Sequence, residues 1–354
     1  MSDALLQSIF EDPDDVATRR VYADALSTTG DPRGEFIQIQ CDLAADPQQP
    51  ELRRRERALL TKHGKTWTAP FAKVVFSPKF ERGMIASAFV NAKQFARAPG
   101  ALLDREPVVS LGMRALTHAD AATLGARPDL GRLRSLRVTE SALVTRGTRA
   151  LFSAHLTRLR DLDLYQAGVD DEGLAHLRTT VFAQLERLVL SGNRLSPDAV
   201  DALLHEPRLA RLGSLALQWL APAHDGARRV ATHLDLPALT ALDLASNHYR
   251  NPDIAVLARN RSFAGLRTLR LEQNELAGAA PIEALAPLVA LEDLDLSTNA
   301  IGPDGAAALA GSRVPLRRLD LMQGQLGEDG VRNLATARFP LEVLDLRYCG
   351  VGPR

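Results

Sequence analysis

One six-residue pattern recurs through the second two-thirds of the chain. It reads LRSLRV from Leu133, LRDLDL from Leu159, LERLVL from Leu185, LGSLAL from Leu212 and LTALDL from Leu239. LRTLRL follows from Leu266, LEDLDL from Leu291, LRRLDL from Leu316 and LEVLDL from Leu341, and VVSLGM from Val108 is a weaker first copy. Successive starts lie 25, 26, 26, 27, 27, 27, 25, 25 and 25 residues apart. So narrow a period over so many copies is the mark of a stacked array.

Each copy carries its own physical reading. In LxxLxL, alternate side chains fall on one side of a short extended segment, as a strand with one buried face requires. Three residues beyond the last leucine stands an asparagine in four copies: Asn193, Asn247, Asn274 and Asn299. A buried amide there can bond backbone groups of neighbouring copies that would otherwise cost about 1–3 kcal/mol each when desolvated. A segment with helical spacing then returns, as in PDGAAALA from Pro303, whose proline suits a first helical turn. One copy cannot bury its own leucines, so copies must stack, and Leu242, Leu269 and Leu294 are expected in the shared core.

This pattern resembles the leucine-rich repeat family, and the strand-then-helix copies look like its ribonuclease-inhibitor-like class. The resemblance covers about Val108 to Arg354. It implies an α/β solenoid, with a parallel sheet lining a concave face and helices outside. Ser141, Ala167, Leu220, Gly324 and Cys349 replace the asparagine in other copies, so the polar ladder should break in places. Cys349 is expected as a buried ladder residue, cysteine being a recognised alternative at that position.

The front of the chain is different. Leu5, Leu6 and Ile9 share one helical face, and DPDD from Asp12 offers a cap residue, a first-turn proline and two acids for the next helix. Val21, Tyr22, Ala25 and Leu26 continue an apolar stripe until Gly30, and Asp31–Pro32 opens a third helix carrying Phe36, Ile37 and Gln40. GDPRGEF is therefore read as a helix stop and a helix start, not as a phosphate cradle, because no GxGxxG or GxxxxGK[ST] accompanies it. LLQSIFEDPDD, YADAL and GDPRGEFIQIQ together look like the repeat-companion domain, a short module found ahead of repeat arrays in some bacteria. That resemblance implies a bacterial origin and no activity. ELRRRERALLTKHGKTW reads as a basic amphipathic helix with a solvated face, and FERGMIASAFV from Phe80 as a degenerate strand. The expected organisation is a small all-helical domain over 1–66, a linker with a degenerate first repeat over 67–107, and the leucine-rich repeat solenoid over 108–354.

Chemistry is sparse. The chain holds 43 basic and 43 acidic side chains, so nothing global draws it to nucleic acid or an anionic membrane. No apolar run approaches the roughly 20 residues of a membrane helix. Two cysteines, Cys41 and Cys349, make no disulfide framework, and the acidic start lacks a secretion profile, so a cytoplasmic protein is expected. No GxSxG, HExxH, paired CxxC or Walker loop is present. The nearest histidine pair, His224 and His233, has no carboxylate pattern around it. Neither catalysis nor a metal or other cofactor is expected.

What remains is a binding surface. The non-leucine positions of LxxLxL face the concave side, and Tyr165, Trp219, Arg270, Glu272, Asp295, Asp320, Met322, Asp345, Arg347 and Tyr348 are the candidate contacts. Aromatic and arginine side chains commonly carry protein-binding energy. Asp295 and Asp320 should point to solvent. The expected role is a non-catalytic scaffold for a protein partner. The alternative is a regulator of an enzyme, such as a GTPase activator, which needs an exposed arginine; Arg194 and Arg250 are its candidates. The final copy ends without a return helix, so its strand edge, with the GVGPR tail and Pro353 as a minimal block, is a candidate for self-association.

Overall fold

The computed structural model describes residues 2–152, 155–219, 229–230 and 232–352. Leu220, His224 and Pro353, singled out in the sequence, lie outside the described residues. The chain divides into two compact units, Met1–Leu159 and Arg160–Arg354.

The first unit opens with four helices: α1 (Ser2–Glu11), α2 (Val16–Thr28), α3 (Pro32–Ala45) and α4 (Pro50–Thr68). The cap of α2 is Asp15, not Asp12; its carboxylate accepts from the Ala17 and Thr18 N–H groups. The DPDD run instead makes a turn whose Pro13 carbonyl takes two bonds from the buried Arg19 guanidinium, so the proline cannot begin the helix. GDPRGEF is a stop and a start in every residue. Gly30 adopts φ 76° after α2, Asp31 caps α3 by accepting from Arg33 N–H at 2.8 Å, and Pro32 takes the first turn. Gly34 lets α2 and α3 touch, since a Cβ there would lie 2.4 Å from the Ala23 carbonyl oxygen. Phe36 is fully buried against Trp67 and Phe80. On α4, Arg54 pairs with Glu51 and Arg55 with Glu35, which leaves that basic face solvated and internally compensated.

Four strands complete this unit: β1 (Lys79–Glu81), β2 (Met84–Asn91), β3 (Ser110–Arg114) and β4 (Ser135–Thr139). The FERGMIASAFV stretch is a hairpin, with β1 antiparallel to β2 and β2–β3–β4 parallel. Arg82 and Gly83 make its turn with positive φ, and Gly83 is obligatory because a Cβ would meet the Ile37 Cα at 2.4 Å. The helices grip this turn through side chains: Arg19 donates to the Arg82 carbonyl, Arg33 to the Gly83 carbonyl, and Gly83 N–H to Gln40 Oε1. Arg33 also forks onto Glu106, both bonds at 2.8 Å, and Glu106 accepts from Ile85 N–H. Burial pushes the Glu106 carboxyl up against the pull of Arg33.

Among the described residues, the second unit holds eight parallel strands. They are β5 (Asp161–Asp163), β6 (Arg187–Val189), β7 (Ser214–Ala216), β8 (Ala241–Asp243), β9 (Thr268–Arg270), β10 (Asp293–Asp295), β11 (Arg318–Asp320) and β12 (Val343–Asp345). Their central leucines pair in register, Leu269 with Leu242 and Leu294. Return segments carry helices such as Asp171–Thr180, Pro197–Leu204 and Gly302–Gly311. Leu242, Leu269 and Leu294 are buried, whereas Leu344 of β12 is 43% exposed. Parallel strands, outer helices and stacked copies make this an α/β leucine-rich repeat fold.

The amides run between copies. Asn274 donates to the carbonyls of Leu271 in its own copy and Leu244 in the copy before, and its Oδ1 accepts from Asn247 and Tyr249 N–H. Asn299 repeats this on Leu296, Leu271, Asn274 and Leu276. Asn193 and Asn247 bridge in the same sense. Substitutes differ in what they supply. The Ser141 hydroxyl accepts from Leu116 N–H and donates to the Thr139 carbonyl, and the Cys349 thiol donates to the Leu321 carbonyl. Ala167 and Gly324 bring no side-chain polar group, so the side-chain ladder is interrupted at those two copies.

Candidate functional site

The open face of the β5–β12 sheet gathers the sequence-derived candidates into rows. In-register pairing puts Asp243, Arg270, Asp295, Asp320 and Asp345 side by side on successive strands. At about 4.8 Å between strands, eight strands span roughly 34 Å. The next row, one residue beyond each last leucine, includes Tyr165, Gln218, Glu272, Met322 and Arg347. Tyr165, Glu272 and Met322 are half-buried, and Arg270, Arg347 and Tyr348 are exposed.

The aspartates do not simply point to solvent. Asp295 accepts from the Ser297 N–H at 3.0 Å and the Ser297 hydroxyl at 2.6 Å, and Asp320 accepts from Met322 N–H at 2.9 Å. Asp163, Asp243 and Asp345 make the same bond to the residue two further on. The aspartate of LDL thus caps the end of its own strand, which is a local reason for its recurrence. Both Asp295 and Asp320 are half-buried.

The electrostatics of the row are uneven. Burial raises the Asp320 carboxyl above its ordinary range, Met322 N–H pulls it back, and Asp295 and Asp345 add to the rise. Burial, then Asp295, Asp243 and Asp320, raises Glu272. Burial raises Asp243 against bonds from Ala245 N–H and the Gln218 amide. At the far end the Arg347 side chain chelates Asp345 and holds its carboxyl below the usual range.

A further column lies at the rim. Two residues beyond each last leucine the backbone is left-handed: Gln166, Gly192, Trp219, Ser246, Gln273, Thr298, Gln323 and Tyr348 all have φ between 49° and 71°. Only one of these is glycine, so residue type does not mark the conformation. Tyr165 and Trp219, two strands apart, bring their rings to 5.8 Å. Trp219 is 44% and Tyr348 79% exposed.

Outside this face the described residues offer little chemistry. None of their His, Cys, Asp and Glu side chains forms a group of three placed to hold a metal. His233 contacts Asp201 at 3.2 Å and lies near His205, a pair that sequence spacing hid because the two histidines are 28 residues apart. Arg250 is ion-paired with Glu275 at 2.9 Å, which removes it as a free arginine, whereas Arg194 is exposed. No described helix is long and apolar enough to cross a membrane.

Comparison with known proteins agrees with this geometry. A family model described as Leucine Rich repeat matches residues 291–310, the copy containing β10 and Asn299. Human Podocan-like protein 1 is 32% identical over 214 residues, covering 59% of this chain and 37% of its own, so the chain spans little more than a third of that relative. Among solved structures, an internalin from Listeria monocytogenes superposes with a TM-score of 0.40 at 15% identity, covering 74% of this chain and 86% of its own. The ectodomain of the Arabidopsis receptor kinase HAESA, solved in complex with a peptide hormone, gives 0.39 at 20% identity, covering 63% and 35%. In its periodic leucine strands, outer return helices and bridging asparagines, and over the matched copy 291–310, the chain is similar to leucine-rich repeat proteins.

Proposed function

We propose that this protein is a non-catalytic scaffold that binds a protein partner on the open, concave-side face of its β5–β12 sheet. The observation that carries this reading is the face itself: in-register rows of mixed charged, amide and aromatic side chains across eight strands. Repeats of this class generally mediate protein–protein interaction, and a surface roughly 34 Å wide suits a folded domain or a long peptide. The two cysteines are free and buried, as suits a reducing compartment, and we place the protein in the cytoplasm. The helical front, 1–66, is assigned as the companion module, with 67–107 as the lead into the array.

Position-specific photocross-linking tests the assignment. A benzophenone side chain at Thr268 or Asp293 on the face should trap one partner in a native lysate, and the same group at Glu283 or Ala307 on return helices should not. Trapping from the return helices alone would put the interface on the wrong side.

A further inference from the structure

Trp219 is placed against the preferences of its backbone. It holds φ 51°, a conformation that strains any residue with a Cβ, and it leaves 44% of a large apolar surface in water. The equivalent residue of the preceding copy is Gly192. With no side chain on that glycine, Tyr165 and Trp219 close to 5.8 Å although their strands, β5 and β7, stand two spacings or about 9.6 Å apart. The floor beside them is short: Ser191 and Ala216. The result is an aromatic platform on the face.

Beyond it, on β8–β12, carboxylates outnumber cations: Asp243, Glu272, Asp293, Asp295, Asp320 and Asp345 stand against Arg270, Arg318 and Arg347. Asp161 is matched by Arg187 and Asp345 by Arg347, but among the described residues Glu272, Asp295 and Asp320 have no ion-pair partner. Asp295, Asp320 and Asp345 stand directly opposite one another in register, an arrangement of like charges that destabilises a sheet. Burial first, and then the neighbouring carboxylates, raise Asp320 and Glu272 against the pull of Arg347 and Arg270. The excess is local, because the whole chain is neutral. These carboxylates are strung across successive strands and do not converge on a point, so they suit several organic cations on one chain and not a single metal ion. The aromatic face, two to four strands away on the same sheet, adds attraction for guanidinium or ammonium groups.

We propose that the open face receives an extended, cationic polypeptide segment, with one arginine or lysine laid on the Trp219–Tyr165 platform and others set against Glu272, Asp295 and Asp320. This rests on the face being the binding surface, as argued above, and adds the chemistry of what it binds.

The test uses the full chain and three labelled dodecapeptides, (Arg-Gly)6, (Gln-Gly)6 and (Glu-Gly)6, read by fluorescence anisotropy. The arginine peptide alone should bind. Trp219→Ala, which changes no charge, and the pair Glu272→Gln with Asp320→Asn should each weaken it by about tenfold or more. Asn at 320 keeps an oxygen for the Met322 N–H, so the strand end stays capped. Glu283→Gln on a return helix should change nothing. Equal binding of the three peptides, no binding of the arginine peptide, or an affinity untouched by the face variants overturns the proposal. A partner trapped from Thr268 through a segment without basic side chains would also overturn it and leave the face reading standing; trapping only from Glu283 would remove both.

Discussion

The two units bury polar groups chiefly by different means, although Glu206 of the second also sits buried as a charge paired with Arg178. In Arg160–Arg354 the buried amides Asn193, Asn247 and Asn299 make one set of bonds at one phase of the repeat. In Met1–Leu159 the buried polar groups include full charges, Arg19, Glu106 and Arg132, each satisfied by a different set of partners. Arg132 reaches the Leu103, Glu106 and Val108 carbonyls and lies over the Phe10 ring. A strand inside an array meets neighbours like itself, so one solution can be copied. The outer edge of β2 meets β1 and helices that resemble nothing else in the chain, and each contact there is a single-use device. Copied bonds should fail gradually, single-use charges abruptly.

The two tryptophans allow this contrast to be broken or sharpened, because Trp67 reports on the first unit and Trp219 on the second. The largest effect is expected from Arg33→Ala, which leaves Glu106 buried and unpaired at a cost of about 3–5 kcal/mol. Arg33→Met with Glu106→Leu should recover part of that in urea melts followed through Trp67 in a Trp219→Phe background, since the Ile85 N–H is left without its acceptor. Recovery that fails would mean the pair does more than neutralise itself. Leu269→Ala should cost about 3 kcal/mol, read through Trp219 in a Trp67→Phe background, since the fully buried side chain would leave a cavity shared by neighbouring copies. Asn274→Ala should cost about 2 kcal/mol, because the Asn247 and Tyr249 N–H groups lose their acceptor while the Leu244 and Leu271 carbonyls keep the bonds from Asn247 and Asn299. A loss as abrupt as that of Arg33→Ala would erase the contrast between copied and single-use bonds.

Two gains are expected. The Tyr249 hydroxyl is fully buried without a hydrogen-bond partner, so Tyr249→Phe should raise stability by about 1 kcal/mol in the same melts. Asp320→Asn should gain only a few tenths of a kcal/mol near neutral pH, the scale of a like-charge contact on a solvated sheet. Its sign with pH is fixed. The folded Asp320 carboxyl titrates above its unfolded value, so its penalty is absent at low pH and grows as pH rises through the folded value. The gain from Asn should therefore vanish on acidification. Asp14 behaves oppositely: its bond to Arg134 holds it low, burial opposes, and the stability it adds at neutral pH is lost as pH falls below the ordinary aspartate range. A melt of Asp320→Asn that diverges from wild type only in acid would refute the crowded-carboxylate account.

How much of this was visible beforehand follows the same division. The strands of the second unit and the places of its asparagines could be read because LxxLxL and the residue three beyond it recur at fixed phase, and alternation names the residues that share a face. The capping role of the aspartates was not legible, since a carboxylate turned back on its own backbone leaves the same letters as one facing water. Nor was the lean of Trp219 over Gly192, which depends on a left-handed backbone that only one glycine in eight copies betrays. In the first unit the helix boundaries at Gly30 and Asp31 were marked by local stop and start chemistry. The Arg33–Glu106 pair was not, because 73 residues separate its members and no period connects them.

Asn299 completes the turn of the copy before it, accepting the backbone N–H groups of Asn274 and Leu276. The dependence therefore points one way along the chain, and it is indifferent to which copy supplies the next amide. Chain length in this region is then a countable quantity. Excising residues 274–298 would splice Gln273 directly to Asn299, leaving an asparagine three places after Leu271, with Leu271 and Leu244 in the roles of its own and its preceding carbonyl. Such a cut keeps an acceptor for the Asn247 and Tyr249 N–H groups and a donor for the Leu271 and Leu244 carbonyls, so the sheet could shed one strand and the ladder would still close.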